Sequence, residues 1–154
     1  MSGLRSVEEQ RALVLAEAQP LPSETVALAH AHGRTLREPL RARVDIPVFD
    51  NSAMDGFAVH FADVQDASPD APVRLRVVAD LPAGTALDPA LALGEAARIM
   101  TGSPMPTAAD AIVPFEETEG GLADSLGEVV VVRAPARPGL HVRRRGEDAV
   151  VGDE

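Results

Sequence analysis

Residues 45 to 59 read DIPVFDNSAMDGFAV and place four polar groups, Asp50, Asn51, Ser52 and Asp55, between two sets of apolar anchors. Pro47 pushes Ile46 toward extended backbone, and Val48 and Phe49 give the chain something to bury. Asp50-Asn51-Ser52 are residue types whose side chains bond their own backbone and make tight turns. Asp55-Gly56 is a second turn signal, with Gly56 free to take a positive φ. A carboxylate on such a constrained loop can orient water, accept a proton or help hold a hard cation such as Mg²⁺. The competing reading of Asp55 is that it closes an Asp-Gly turn. Loops held at both ends and rich in carboxylate, amide and hydroxyl groups are places where small polar ligands bind.

Thr101-Gly102-Ser103 is the second candidate. Gly102 lets a ligand approach the backbone, and the two hydroxyls with nearby N–H groups suit an anionic oxygen. Pro104 and Pro106 stiffen the chain just beyond it. An ordinary strand-to-loop turn explains the same residues. Arg143-Arg144-Arg145 can offset the charge of a phosphate-bearing ligand, or can pair with Glu147 and Asp148 on a solvated face. His30 and His32 share a face only on a strand. On the short helix expected there they diverge, so they read as solvated or capping residues, as do His60 and His141. Glu116, Glu117 and Glu119 read as a solvated charge run. The sequence holds no Ser-His-Asp arrangement, Walker loop or dinucleotide fingerprint.

The elements that must position these residues are short. Ser6-Val7-Glu8-Glu9 fits a capping box, so a helix is expected over Val7–Ala18, ended by Pro20 and Pro22. Glu24–Leu28 reads as extended, Ala29–Leu36 as a short helix, and Glu38–Val44 as a strand with Arg41 and Arg43 on one face. Beyond Asp45 short apolar runs alternate with Pro, Gly and Asp clusters, which predicts strands over Gly56–His60, Val73–Ala79, Ala96–Met100, Ala111–Phe115, Gly127–Ala134 and His141–Arg145. Val73–Val78 alternates as a half-exposed strand does. Val129–Val132 is continuous and should be buried on both faces or at an interface. Ala62–Pro72 and Leu81–Leu93 read as loops.

Composition bounds the rest. A chain of 154 residues can bury roughly two-thirds of its unfolded surface, and 45% hydrophobic residues predict a globular protein. Only 3% are aromatic, with no Trp or Tyr, so Ala, Val, Leu, Ile and four Phe must fill the core. The absence of cysteine excludes disulfides, cysteine-ligated zinc and thiol nucleophiles, and fits a reducing compartment. Glu8, Glu9 and Arg11 stand where a secretory signal would be apolar, so a cytoplasmic location is expected, with no membrane partner. A formal net charge of -10 makes nucleic acid an unfavourable partner.

Three stretches together resemble one family. FDNSAMDGFAV (49–59), ARIMTGSPMPTAADAIVPFEE (97–117) and VRRRGED (142–148) are similar, in this order, to signatures of the molybdopterin molybdenumtransferases, the bacterial MoeA proteins and the C-terminal domain of gephyrin. The resemblance runs from about Ser6 to the last residue. It implies an α+β, mostly β fold: an N-terminal helical and extended segment (1–45) packing with 135–154, and an inserted irregular β lobe of short twisted strands (46–134). It implies a reaction in which adenylated molybdopterin and molybdate become molybdenum cofactor, with AMP released and Mg²⁺ required. Asp55 and Thr101 then become the expected catalytic residues of a cleft, with Asn51, Ser52, Gly102 and Ser103 as ligand-binding residues and no metal ligand assigned. Family members continue into an α/β domain that binds pterin and molybdate, and their cleft joins two subunits of a homodimer. The expectation is therefore half a site, inactive in molybdenum insertion by itself, with neither Mg²⁺ nor molybdate fully held. The alternative is a non-catalytic module for dimerisation or for docking other cofactor-synthesis proteins. Family members carry glycine in the turn before ADAIV where this chain has Ala108, a departure that bears on the placement of Thr101 if that turn needs a positive φ.

Overall fold

Ser6 opens the first helix by the expected device. In the computed structural model, which describes residues 4–121 and 127–154, the Ser6 hydroxyl accepts from the Glu9 N–H at 3.1 Å while Ser6 N–H donates to the Glu9 carboxylate at 2.8 Å. Helix α1 runs Val7–Glu17 and ends before Pro20. The chain divides into two units, Met1–Leu40 and Arg41–Glu154, and α1 belongs to the first. The short helix expected over Ala29–Leu36 is only a 3₁₀ turn at Leu28–His30. Gly33 takes φ +75, the left-handed value that stops a helix.

The second unit is mostly β. Its strands are β1 (Asn51–Ser52), β2 (Gly56–Val59), β3 (Val73–Leu81), β4 (Glu95–Ile99), β5 (Ala111–Pro114), β6 (Gly127–Val131) and β7 (Val142–Arg143). Five of them form one sheet in the order β5-β2-β4-β3-β6. All neighbours in it are antiparallel except β3 and β4, whose parallel pairing needs the long crossover of residues 82–94. The stretch Ala62–Pro72, expected as loop, begins with one helical turn, α2 (Phe61–Val64), whose first N–H is taken by Asp110 Oδ1 at 2.6 Å.

Period-two alternation sorts this sheet's side chains onto two faces. Phe57, Val59, Leu75, Val77, Ala96, Ala111, Val113, Phe115, Val129 and Val131 form the core on one face with Val64 of α2. Ala58, Ala97, Ile99 and Ile112 form the other with Leu81 and Leu91, and Met105 and Val142 pack onto it. β3 alternates as expected, Leu75 and Val77 inward and Arg74 and Arg76 outward. Val129–Val132 is not buried on both faces. β6 is an edge strand, so Val129 and Val131 are buried while Val130 and Val132 are only half-buried. Its outer edge is covered by residues 117–119, through Glu119 N–H to Val130 O and Val132 N–H to Glu117 O, each 2.9 Å.

Two further expectations are corrected. No regular strand forms over Glu38–Val44. From Arg41 onward the backbone pairs only intermittently with the end of the chain, Ala42 N–H to Asp153 O and Gly152 N–H to Ala42 O at 2.9 Å each, and Ile46 bridges Ala149. Gly152 sits at φ +99, which breaks the pleat that a continuous ladder needs. Asn51-Ser52, expected as turn, is instead β1, paired antiparallel with β7 through Asn51 opposite Arg143 and Ser52 opposite Val142. The Ile46–Pro47 peptide is cis. Among the described residues no helix is long and apolar enough to cross a membrane.

Candidate functional site

Sheet register collects the polar residues at one end. β2 starts at Gly56, which stands opposite Ile99 near the end of β4 and Pro114 at the end of β5. Asp55, one residue earlier, therefore meets the residues that leave both neighbours. Its carbonyl accepts from Phe115 N–H at 3.2 Å. Its Oδ1 accepts from Thr101 N–H and from the Thr101 hydroxyl, both at 2.7 Å. Among the described residues Oδ2 accepts no hydrogen bond. Asp55 and Thr101 are both exposed. The Thr101 N–H, then its hydroxyl, hold the Asp55 carboxyl below its ordinary value against a smaller opposing effect of burial, with the charge of Arg98 a lesser contribution.

Gly56 serves this geometry in a way the sequence reading did not anticipate. It does not take a positive φ. A Cβ there would lie 2.1 Å from Val113 O and 2.9 Å from Pro114 Cα, so glycine is needed to let β2 and β5 approach beside Asp55. Gly102 does take the left-handed conformation, φ +83. It sits in the turn closed by Ser103 N–H to Met100 O at 3.0 Å, where such a φ is required of the third residue. Ala108 is not among the residues with positive φ. Its turn closes through Ala109 N–H to Pro106 O at 3.0 Å, so alanine is accommodated without strain and Thr101 is placed regardless.

The two nominated loops lie side by side. Ser52 N–H donates to Ser103 O at 3.0 Å and Gly102 N–H to Ser52 O at 2.8 Å. Of the six nominated residues, Asp55, Thr101 and Gly102 reach the surface, whereas Asn51, Ser52 and Ser103 are buried beneath them. Asn51 Nδ2 donates to Phe49 O at 3.1 Å, Ser52 Oγ to Met54 O at 2.5 Å and Ser103 Oγ to Leu81 O at 2.8 Å. The far end of the second loop repeats the clasp: Thr107 N–H and hydroxyl donate to Asp88 at 2.8 and 2.7 Å.

All three arginines of the RRRGED segment pair with acids. Arg143 pairs with Asp148, Arg144 with Asp50 Oδ2 at 2.6 Å, and Arg145 with Asp45 Oδ2 at 2.7 Å. Asp50 Oδ1 also accepts from Arg145 N–H at 2.8 Å, and Asp45 Oδ1 from Val151 N–H at 2.9 Å. Arg144 and Arg145 thus serve as clasps between residues 45–50 and 143–151, while Arg143 pairs within the latter segment. Sequence reasoning passed over Arg98, which stands at the same sheet end with its guanidinium against Asp80 and over Phe115. One charge inside the apolar run Ala96–Met100 was the available signal.

The Mg²⁺ that the resemblance implies finds no cage here. Among the described residues no three His, Cys, Asp or Glu side chains converge. Asp80 faces Arg98, and Asp55 Oδ1 is occupied by Thr101. A resident Mg²⁺ demands near-octahedral oxygen geometry, and this donor set does not fit it.

Comparison with known proteins agrees with the family resemblance. The family described as MoeA N-terminal region (domain I and II) matches residues 5–154. Molybdopterin molybdenumtransferase 2 of Mycobacterium tuberculosis (strain H37Rv) is 45% identical over 149 residues, 97% of this chain and 36% of the relative. Molybdopterin molybdenumtransferase of Synechococcus elongatus is 43% identical over 140 residues, 88% of this chain and 33% of the relative. The crystal structure of the molybdopterin biosynthesis moeA protein from Pyrococcus horikoshii OT3 superposes with TM-score 0.72 at 32% identity, covering 84% of this chain and 33% of that one. The chain thus spans no more than 36% of the length of these relatives. With a family match over residues 5–154 and a mostly β fold shared with a solved MoeA protein, the chain belongs to the MoeA N-terminal region family.

Proposed function

We propose that this chain forms one wall of the cleft in which a molybdopterin molybdenumtransferase converts adenylated molybdopterin and molybdate into molybdenum cofactor and AMP. In this reading residues 46–134 are a lobe inserted between arms that include 41–45 and 135–154, and the α/β domain of a second copy closes the cleft. The observation that carries it is the Asp55 carboxylate, fixed through Oδ1 by Thr101 while Oδ2 is left without a donor among the described residues.

The chemistry comes from that asymmetry. A carboxyl held below its ordinary value is ionised at neutral pH and is a weak general base, because a base works best with a pKa near the working pH. Its suited task is orientation. Oδ2 accepts a hydrogen bond from water or a substrate hydroxyl, and Thr101 keeps the acceptor from rotating away. Molybdate is a substrate here, and the anionic pterin needs positive charge close to this carboxylate.

The test joins this chain to the α/β part of a relative and measures molybdenum insertion. Asparagine at position 55 keeps an oxygen for Thr101 but removes the charge, so Asp55→Asn should cut turnover while leaving the thermal midpoint close to the parent's. Turnover indifferent to Asp55→Asn refutes the reading and leaves a non-catalytic dimerisation or docking module in its place.

A further inference from the structure

Arg98 is the odd residue of β4. The strand reads Glu95-Ala96-Ala97-Arg98-Ile99, and Ala96, Ala97 and Ile99 are fully buried. The Arg98 side chain keeps only 20% of its surface exposed. Its Nε is buried and has no partner among the described residues. One terminal nitrogen lies 3.3 and 3.4 Å from the two oxygens of Asp80, which stands opposite it across the β3–β4 pair. Its Cζ is 5.7 Å from the centre of the Phe115 ring.

For stability alone this is a poor choice. A buried donor without a partner is unfavourable, and a largely desolvated guanidinium with a single long ion pair is under-compensated. An aliphatic side chain would pack on the face of Ala96 and Phe115 without either penalty. Position explains the choice where packing does not. The Phe115 ring lies under the Arg98 guanidinium, and the Phe115 N–H is bonded to the Asp55 carbonyl. Arg98 also lies three residues before Thr101, the partner of the Asp55 carboxylate. The cation is held by β3, β4 and the turn after β5, on the sheet face that Asp55 shares by alternation with Phe57, the residue opposite Arg98.

We propose that Arg98 is a positioning residue that acts through Asp55: anchored by Asp80 and Phe115, its fixed positive charge keeps the Asp55 carboxylate ionised when an anionic, phosphate-bearing ligand comes close. This rests on the reading of Asp55 as the carboxylate of the site. The charged group paired with Arg98 is Asp80 from β3, and Asp55, two residues before the Phe57 that stands opposite Arg98, lies toward the same sheet face. Asp80 partly cancels the field of Arg98 at Asp55, so the two residues act in opposite directions on the same carboxyl.

The test is an NMR titration of the 154-residue chain carrying ¹³C-labelled aspartate, with the Asp55 carboxyl signal identified by its loss in Asp55→Asn. Arg98→Met should move the Asp55 midpoint up, Arg98→Lys should leave it near the parent's, and Asp80→Asn should move it down. A midpoint unmoved in Arg98→Met, or raised equally in the methionine and lysine variants, overturns the proposal and leaves Arg98 a packing residue. Asp80 is exposed, so Asp80→Asn spares the core and decides the matter if Arg98→Met fails to fold: no shift, or an upward one, overturns it. The titration involves no turnover, so its failure is distinguishable from failure of the role proposed for Asp55.

Discussion

Asp55 Oδ1 accepts both the N–H and the hydroxyl of Thr101 at 2.7 Å, which ties the start of β2 to the residue just past the end of β4. The consequence for acid stability has a definite sign. Thr101 lowers the folded pKa of Asp55 below its ordinary 3.8. The stabilisation is therefore complete above that value and is lost as pH falls through the lower, folded one. Asp45, Asp50 and Asp88 are lowered too, first by Val151 N–H, Arg145 N–H and the Thr107 hydroxyl respectively. The urea midpoint should be flat from about pH 7 to about pH 5 and drop below about pH 4, less steeply in Asp55→Asn. A drop already between neutrality and pH 5, or an identical slope in the variant, contradicts this origin.

Thr101→Val keeps the shape and the N–H but removes the hydroxyl. One hydrogen bond to a carboxylate is lost from an exposed site, so unfolding free energy should fall by about 1 kcal/mol, with Thr101→Ser close to the parent. Chemical denaturation of the three proteins measures it.

The two glycines beside the site should respond differently to alanine. At Gly56 the new Cβ meets backbone, Val113 O at 2.1 Å, which cannot swing aside. Gly56→Ala should cost about 3 kcal/mol or more, as overpacking does, or prevent folding. At Gly102 nothing lies within 4 Å of the added carbon, so only the left-handed φ is penalised and Gly102→Ala should cost about 1 kcal/mol. Equal thermal shifts would contradict the assignment of these roles.

The clasp at Asp50 should be carried more by its backbone bond than by its ion pair. Arg144 is exposed, so Arg144→Ala should cost well under about 1 kcal/mol. Asp50→Ala also frees the Arg145 N–H and should cost about 1–2 kcal/mol. A double-mutant cycle separates the two.

These contrasts show which parts of the molecule were legible in the chain. Strands β2 to β6 were, because apolar runs bounded by Pro, Gly and Asp mark strands locally. β1 was not, because Asn51 and Ser52 are turn-forming types and become a strand only through pairing with Val142 and Arg143. The sequence reading assigned Gly56 a backbone conformation, whereas its need is space against Val113, a neighbour supplied by a distant strand. For the arginine cluster it found Asp148 but not Asp50 or Asp45, which lie 94 and 100 residues from Arg144 and Arg145. The adjacency of Asp55 and Thr101 came from the family resemblance, since 46 residues separate them in the chain. Arg98 was visible as a charge in an apolar strand, but its relation to Asp80 and Phe115 exists only in the register of the sheet.

The most direct measurement is single-turnover conversion of adenylated molybdopterin with molybdate, by this chain joined to the α/β part of a relative, with aspartate or asparagine at position 55. A loss of about a hundredfold or more in rate is expected, at a thermal midpoint lowered only slightly by the lost charge on the bonds to Thr101. Equal rates in the two proteins would contradict it.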